Sequence, residues 1–130
     1  MVFISSFTSL LPVFVSAIVT NYARARMLID ERFAGMHPVH TINNMVAIVF
    51  ALMLGKGDYE ATVSQCIAIG LDNDCTGATV GSIVGACVGI EKIPAHWYDR
   101  FQDTIMTYIK GHGKFSIEDA VDRFVALNGK

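Results

Sequence analysis

Apolar positions along this chain fall into blocks with different rhythms. Residues 1–22 carry no charged side chain and are rich in Phe, Val, Ile and Leu. Over residues 28–33 charges interleave with apolar residues, as in a short helix, and Gly35-Met36-His37-Pro38 then breaks any helical run, so a loop is expected over 35–40. Thr41 offers a capping hydroxyl ahead of Asn43 and Asn44. Residues 45–54 are apolar on every side and stop at Gly55, the pattern of a fully buried helix. Gly55-Lys56-Gly57 predicts a turn, with Asp58 capping a helix that carries Glu60 in its first turn and ends at Gly70. Further helices are expected over 76–90 and from Pro94 to about 109. Gly111-His112-Gly113 then forms a loop, and Ser116 with Glu118 and Asp119 caps a last helix to Leu127. No stretch of period 2 stands out, so the predicted class is all-α.

Gly77, Gly81, Gly85 and Gly89 recur every four residues, which places them along one stripe of the helix expected there. Interior glycines cost about 1 kcal/mol each relative to alanine. Close approach of neighbouring backbones is the expected compensation. Trp97, Tyr98 and Phe101 share a helical spacing and read as core.

Composition narrows the function classes. The 130 residues are 52% hydrophobic and 17% charged, poor in solvated surface for a small domain, which suggests a piece of something larger. A formal charge of -2 provides no field for a phosphate backbone, so nucleic acid is not an expected partner. The three cysteines form neither a Cys-x-x-Cys pair nor an even set, which argues against a disulfide framework and for a reducing, cytoplasmic setting. The apolar leader complicates this. Its arginines, Arg24 and Arg26, follow the run rather than precede it, unlike a secretory signal, and Pro12 interrupts a span of marginal length. A helix packed on another element and association with a membrane through residues 1–22 both stay open.

Chemistry concentrates in Gly70-Leu71-Asp72-Asn73-Asp74-Cys75-Thr76-Gly77, between two predicted helices. Hard divalent cations take oxygen ligands, and Asp72 and Asp74, one residue apart in a loop, can converge on one. Equally, both can serve as caps that complement the dipole of the next helix. An EF-hand loop fails, because its twelfth position, which needs a bidentate glutamate, is Ile83. Asp-x-Asp-x-Thr after the apolar residues 66–71 resembles the haloacid dehalogenase phosphatases, with Asp72 as nucleophile and Asp74 as acid and base, but that motif opens an α/β domain and no later strand is predicted. His37 and His40 flank a proline and read as loop hydrogen-bonding groups. Asn43 and Asn44 read as capping groups.

A third pattern is longer. His40-Thr41-Ile42-Asn43-Asn44, then Gly57-Asp58-Tyr59-Glu60, then the block from Gly70 through Thr76 and the glycine ladder to Ala86, with Ile93-Pro94 and Trp97 beyond, resemble in order the C-terminal region of the ADP-ribosylglycohydrolase family, over about residues 36–127. The dinitrogenase-reductase-activating glycohydrolases are the members it looks like. The resemblance implies an all-α orthogonal helical bundle with two magnesium or manganese ions in a cleft. ADP-ribose, free or on a protein or small molecule, would be bound there and its glycosidic bond hydrolysed. It implies metal ligation by Asp72 and Asp74. The hydroxyl that follows the second aspartate in many relatives is replaced by Cys75, a soft atom, with Thr76 as the substitute ligand one residue on. Asn43 and Asn44 would touch substrate or hold the metal loop. Residues 1–35 do not look like the family, and the Thr-Asp-Asp cluster that supplies the first half of such a site has no counterpart, since no Asp-Asp pair occurs in the chain. The expectation is half a dinuclear site, inactive alone.

Overall fold

Asn21 opens the first helix of the computed structural model, which describes residues 19–128, by accepting the Arg24 N–H at 2.9 Å. The helix, α1 (Tyr22–Arg32), is followed by α2 (Thr41–Gly55), α3 (Tyr59–Ile69) and α4 (Asn73–Val88), then short 3-10 turns, a hairpin of β1 (Thr104–Ile109) and β2 (His112–Ser116), and α5 (Ile117–Asn128). The fold is all-α in class, as predicted. By its contacts the chain divides after Ile93 into two compact units. The membrane association left open for residues 1–22 falls mostly outside the described residues. No helix among the described residues is long and apolar enough to cross a membrane.

In the first unit α2, α3 and α4 pack on one another, and α1 lies on α2 and α3. Capping sets the boundaries. Asp58 accepts the Ala61 N–H at 2.7 Å to start α3, as predicted, whereas α2 is capped by His40, whose Nδ1 accepts the Ile42 N–H at 3.2 Å, rather than by the Thr41 hydroxyl. The loop role read for His37 and His40 holds, since His37 Nδ1 accepts the Val39 N–H at 3.3 Å. α2 is not buried on every side. Its inner stripe is Asn44, Ala47, Ala51 and Gly55, small enough to draw the neighbours close, while Ile42, Met45 and Val49 stay exposed. The core is completed by Ala25 and Ile29 of α1, Val63, Cys66 and Ile69 of α3, and Val80 and Val84 of α4.

The glycine stripe of α4 does face α3, but it meets side chains rather than backbone. A methyl at Gly77 would approach Ile67 Cδ1, one at Gly81 the Tyr59 hydroxyl, and one at Gly85 the Tyr59 ring. Gly89 lies past the helix end, with φ +76. The backbone-to-backbone crossing is at Gly55, which lies directly on Thr62.

In the second unit the helix predicted from Pro94 to 109 is replaced by two 3-10 turns and the strand β1. Gln102 and Asp103 both adopt left-handed φ (+47 and +54), which ends any helix, and Thr104-Ile105-Met106-Thr107-Tyr108-Ile109 is rich in residues that suit a pleated strand. β1 pairs antiparallel with β2 across Lys110-Gly111, with Ile105 opposite Phe115 and a bulge between Met106 and Ile109. The loop expected at Gly111-His112-Gly113 is therefore a tight turn plus the start of β2. Tyr98 and Phe101, expected in the core, are exposed. Ser116 caps α5 as predicted, accepting the Asp119 N–H at 3.0 Å.

Candidate metal centre

The segment between α3 and α4 is a turn of unusual backbone. Gly70 (φ +87) and Leu71 (φ +74) are both left-handed, and Leu71 is one of few residues with a side chain in that region among those described. The turn reverses the chain so that α4 begins at Asn73 with Asp72 in the N-cap position, one turn earlier than the predicted start at 76. Three side chains hold it. Arg26 Nη1 of α1 donates to the Ile69 carbonyl at 3.1 Å, Asn73 Nδ2 donates to the Ile67 carbonyl at 3.2 Å, and Asn44 Oδ1 of α2 accepts the Asp72 N–H at 3.2 Å.

Asp72 stands where a capping side chain belongs, yet its carboxylate makes no capping hydrogen bond. It gathers instead with the Asp74 carboxylate and the Cys75 thiol, one ligand atom of each lying within 4.8 Å of the others; Asp72 is half-buried and the other two are exposed. The Asp74 carboxyl is held below the usual carboxylate range, first by its hydrogen bond with Asp72, then by its own N–H and that of Cys75. The Cys75 thiol is pushed up by donating to Asp72 and by the negative charge of both aspartates. The donor set thus offers two convergent carboxylates, which suits a hard divalent cation, beside a thiol that stays protonated and matches such an ion poorly.

The remaining sequence-derived residues sit around this cluster. Thr76 is buried and its hydroxyl donates to the Asp72 carbonyl at 3.0 Å, inside the first turn of α4 and toward Cys66 rather than toward the carboxylates. Asn43 and Asn44 are buried, with amide nitrogens engaged within the protein: Asn43 Nδ2 donates to the His37 carbonyl at 3.0 Å, and Asn44 Nδ2 to the carbonyls of Pro38 at 2.7 Å and His40 at 3.0 Å. Sequence reasoning gave Arg26 no part in the site, and its partner on the loop is 43 residues away.

A helical domain that brings two carboxylates together at the start of one helix is unlike a haloacid dehalogenase phosphatase. In that class the aspartates follow a β-strand of a parallel sheet, whereas the residues before Asp72 are the end of helix α3, and the one sheet among the described residues is the antiparallel hairpin. A family model described as ADP-ribosylglycohydrolase matches residues 8–129, and the chain belongs to that family. The match begins inside the apolar leader. No curated protein and no solved structure matches the chain.

Proposed function

We propose that this chain supplies the second half of a dinuclear ADP-ribosylglycohydrolase site, with Asp72 and Asp74 as ligands of magnesium or manganese. The observation that carries the reading is the Asp72 carboxylate, which leaves its capping role unfilled and converges on Asp74. The start of α4 engages both groups, the Asp74 and Cys75 N–H on Asp74 and the Cys75 thiol on Asp72, and a bound cation would offset the repulsion that remains when both carboxylates are ionised. When bound, such an ion polarises the ribose diol and lowers the cost of charge at the anomeric centre of ADP-ribose.

The protein's own part is positional. Asp74, kept ionised, and Asp72, presented by the left-handed turn, form one wall of the site. Asn43 and Asn44 act from behind, holding the 37–40 loop and the Asp72 N–H, so they serve the site by fixing the metal loop rather than by touching substrate. Thr76 keeps the first turn of α4 closed over Asp72 and is a ligand only if its hydroxyl leaves the Asp72 carbonyl. Cys75 stands where an oxygen ligand would complete the shell, so two carboxylates alone hold an ion weakly, on the order of millimolar by comparison with richer oxygen cages. No Asp-Asp pair occurs in the chain, so Asp72 and Asp74 account for the ligands of one side of such a site only.

Joining a family N-terminal half to this chain tests the reading. The product should release ADP-ribose only with magnesium or manganese, and Asp72→Asn should remove ion binding and turnover together. A covalent phosphoryl adduct on Asp72, located by mass spectrometry, would overturn it. So would ADP-ribose release that survives both Asp72→Asn and chelation.

A further inference from the structure

We infer that Arg26, on α1, is a positioning residue of the Asp72–Asp74 loop; the inference rests on reading those aspartates as ion ligands. The last carbonyls of a helix have no partner within it, and Ile69 ends α3. Its carbonyl is taken by Arg26 Nη1 at 3.1 Å, while Nε of the same guanidinium is gripped by both oxygens of Asp30 at 2.8 and 2.9 Å. Asp30, one helical turn further along α1, therefore orients the guanidinium, and the guanidinium orients the end of α3.

The turn just past that carbonyl makes the contact consequential. Two successive left-handed residues, Gly70 and Leu71, must be held in place before the chain can deliver Asp72, and local backbone preference alone opposes Leu71 there. The guanidinium lies so close to this turn that a Cβ on Gly70 would sit 2.7 Å from Nη1. Glycine at 70 thus satisfies the backbone angle and clears room for the arginine at once. Beyond the turn, Asn44 Oδ1 takes the Asp72 N–H. The loop is consequently pinned at its entry from α1 and at its exit from α2, and only the exit tie comes from a residue that the motif singled out. Arg26 contributes no free charge for a ligand, because Asp30 neutralises it. Its function is to decide where the carboxylate goes, in the way that outer-shell partners of metal ligands set the geometry of the inner ones.

The test uses the full chain and two independent readouts. Arg26→Met keeps the aliphatic stem and removes the donor, and Arg26→Lys returns a donor. Amide hydrogen exchange of the metal-free protein, followed by NMR, should show Gly70 and Asp72 exchanging at least about tenfold faster in Arg26→Met, with Val63 and Val80 unchanged and Arg26→Lys restoring part of the protection. Manganese binding, followed by electron paramagnetic resonance, should weaken about tenfold in Arg26→Met. Unchanged exchange at Gly70 and Asp72 would overturn the inference. Acceleration of all amides together, or loss of the folded spectrum, would make Arg26 a brace of the whole helix array and overturn it equally, as would a freed loop with undiminished manganese affinity. Should the unaltered chain bind no manganese, the metal reading falls by itself, and the exchange data still decide whether Arg26 sets the loop.

Discussion

Replacing Gly55 with alanine measures how closely α2 and α3 cross. A Cβ built there overlaps Thr62 Oγ1 and Cα and lies 2.5 Å from Thr62 Cβ. Thr62 is fully buried and its hydroxyl donates to the Asp58 carbonyl, so the side chain has nowhere to turn and the obstacle includes backbone. Because carbon contacts settle at about 3.5–4.0 Å, α3 must retreat by about 1 Å. Overpacking costs about 1–3 kcal/mol, and a backbone obstacle puts this site at the upper end. The better helix propensity of alanine returns about 1 kcal/mol, leaving a net loss of about 2 kcal/mol. At 4–8 °C per kcal/mol for a domain of this size, Tm should fall by roughly 8–16 °C. Gly85→Ala is the internal comparison, since its Cβ would lie 3.5 Å from Tyr59 Cε2 and 3.6 Å from Ile93 Cδ1, ordinary contacts that leave only the propensity gain. Its Tm should rise by a few degrees. Thermal melts and urea titrations by circular dichroism read both variants. Equal shifts, or no shift for Gly55→Ala, would refute the crossing.

Asn44→Ala strips the Asp72 N–H and the Pro38 carbonyl of their partner in a buried setting, and urea titration should show a loss of about 2–3 kcal/mol. Cys66 is raised above its ordinary thiol value by burial, against a smaller lowering by Thr76, so its contribution is intact below the unfolded thiol pKa and lost as pH rises through the folded one. Urea midpoints should therefore decline more steeply above the ordinary thiol pKa in the wild type than in Cys66→Ala; native thiol titration should label exposed Cys87 quickly, Cys75 more slowly because the two aspartates keep its thiol protonated, and Cys66 only on unfolding. Asp103 is held below its ordinary value, first by Ser116 and then by the Glu118 N–H, so its support for the start of α5 is present above the unfolded carboxylate pKa and disappears as pH falls through the folded one. NMR of the hairpin and α5 should show acid loosening that Asp103→Asn already displays at neutral pH.

Helix ends in the first unit were legible because they are written locally. Asp58 and Gly70 delimit α3 through one hydrogen bond and one backbone angle, each readable from a residue type and its neighbours. The hairpin was not legible, because the strand tendency of residues 104–109 competes with an aromatic spacing at 97–101 that suits a helix equally well. What decides is the pair of left-handed residues Gln102 and Asp103, neither of which is a glycine that would advertise the break. The buried side of α2 was misjudged for a related reason: apolar residues surround that helix, and only packing shows that alanines face inward while Ile42, Met45 and Val49 face out.

The candidate site divides along the same line between local and distant causes. Two aspartates one residue apart, followed by a helix, are visible in any reading of the chain, and so is the doubt over whether they cap or ligate. That doubt turns on what else satisfies the start of α4. The Asp72 N–H is taken by Asn44, 28 residues earlier, and the Ile69 carbonyl by Arg26, 43 residues earlier, and no periodicity links such pairs. Those two ties fix the backbone of the turn, while the N–H groups that a capping side chain would take, those of Asp74 and Cys75, go to the Asp74 carboxylate, and the Asp72 side chain is left without the capping work that the spacing alone would assign to it. The carboxylate pair is therefore a product of helix packing, and any substitution that shifts α1 or α2 relative to α3 should reach Asp72 before it reaches the rest of the core.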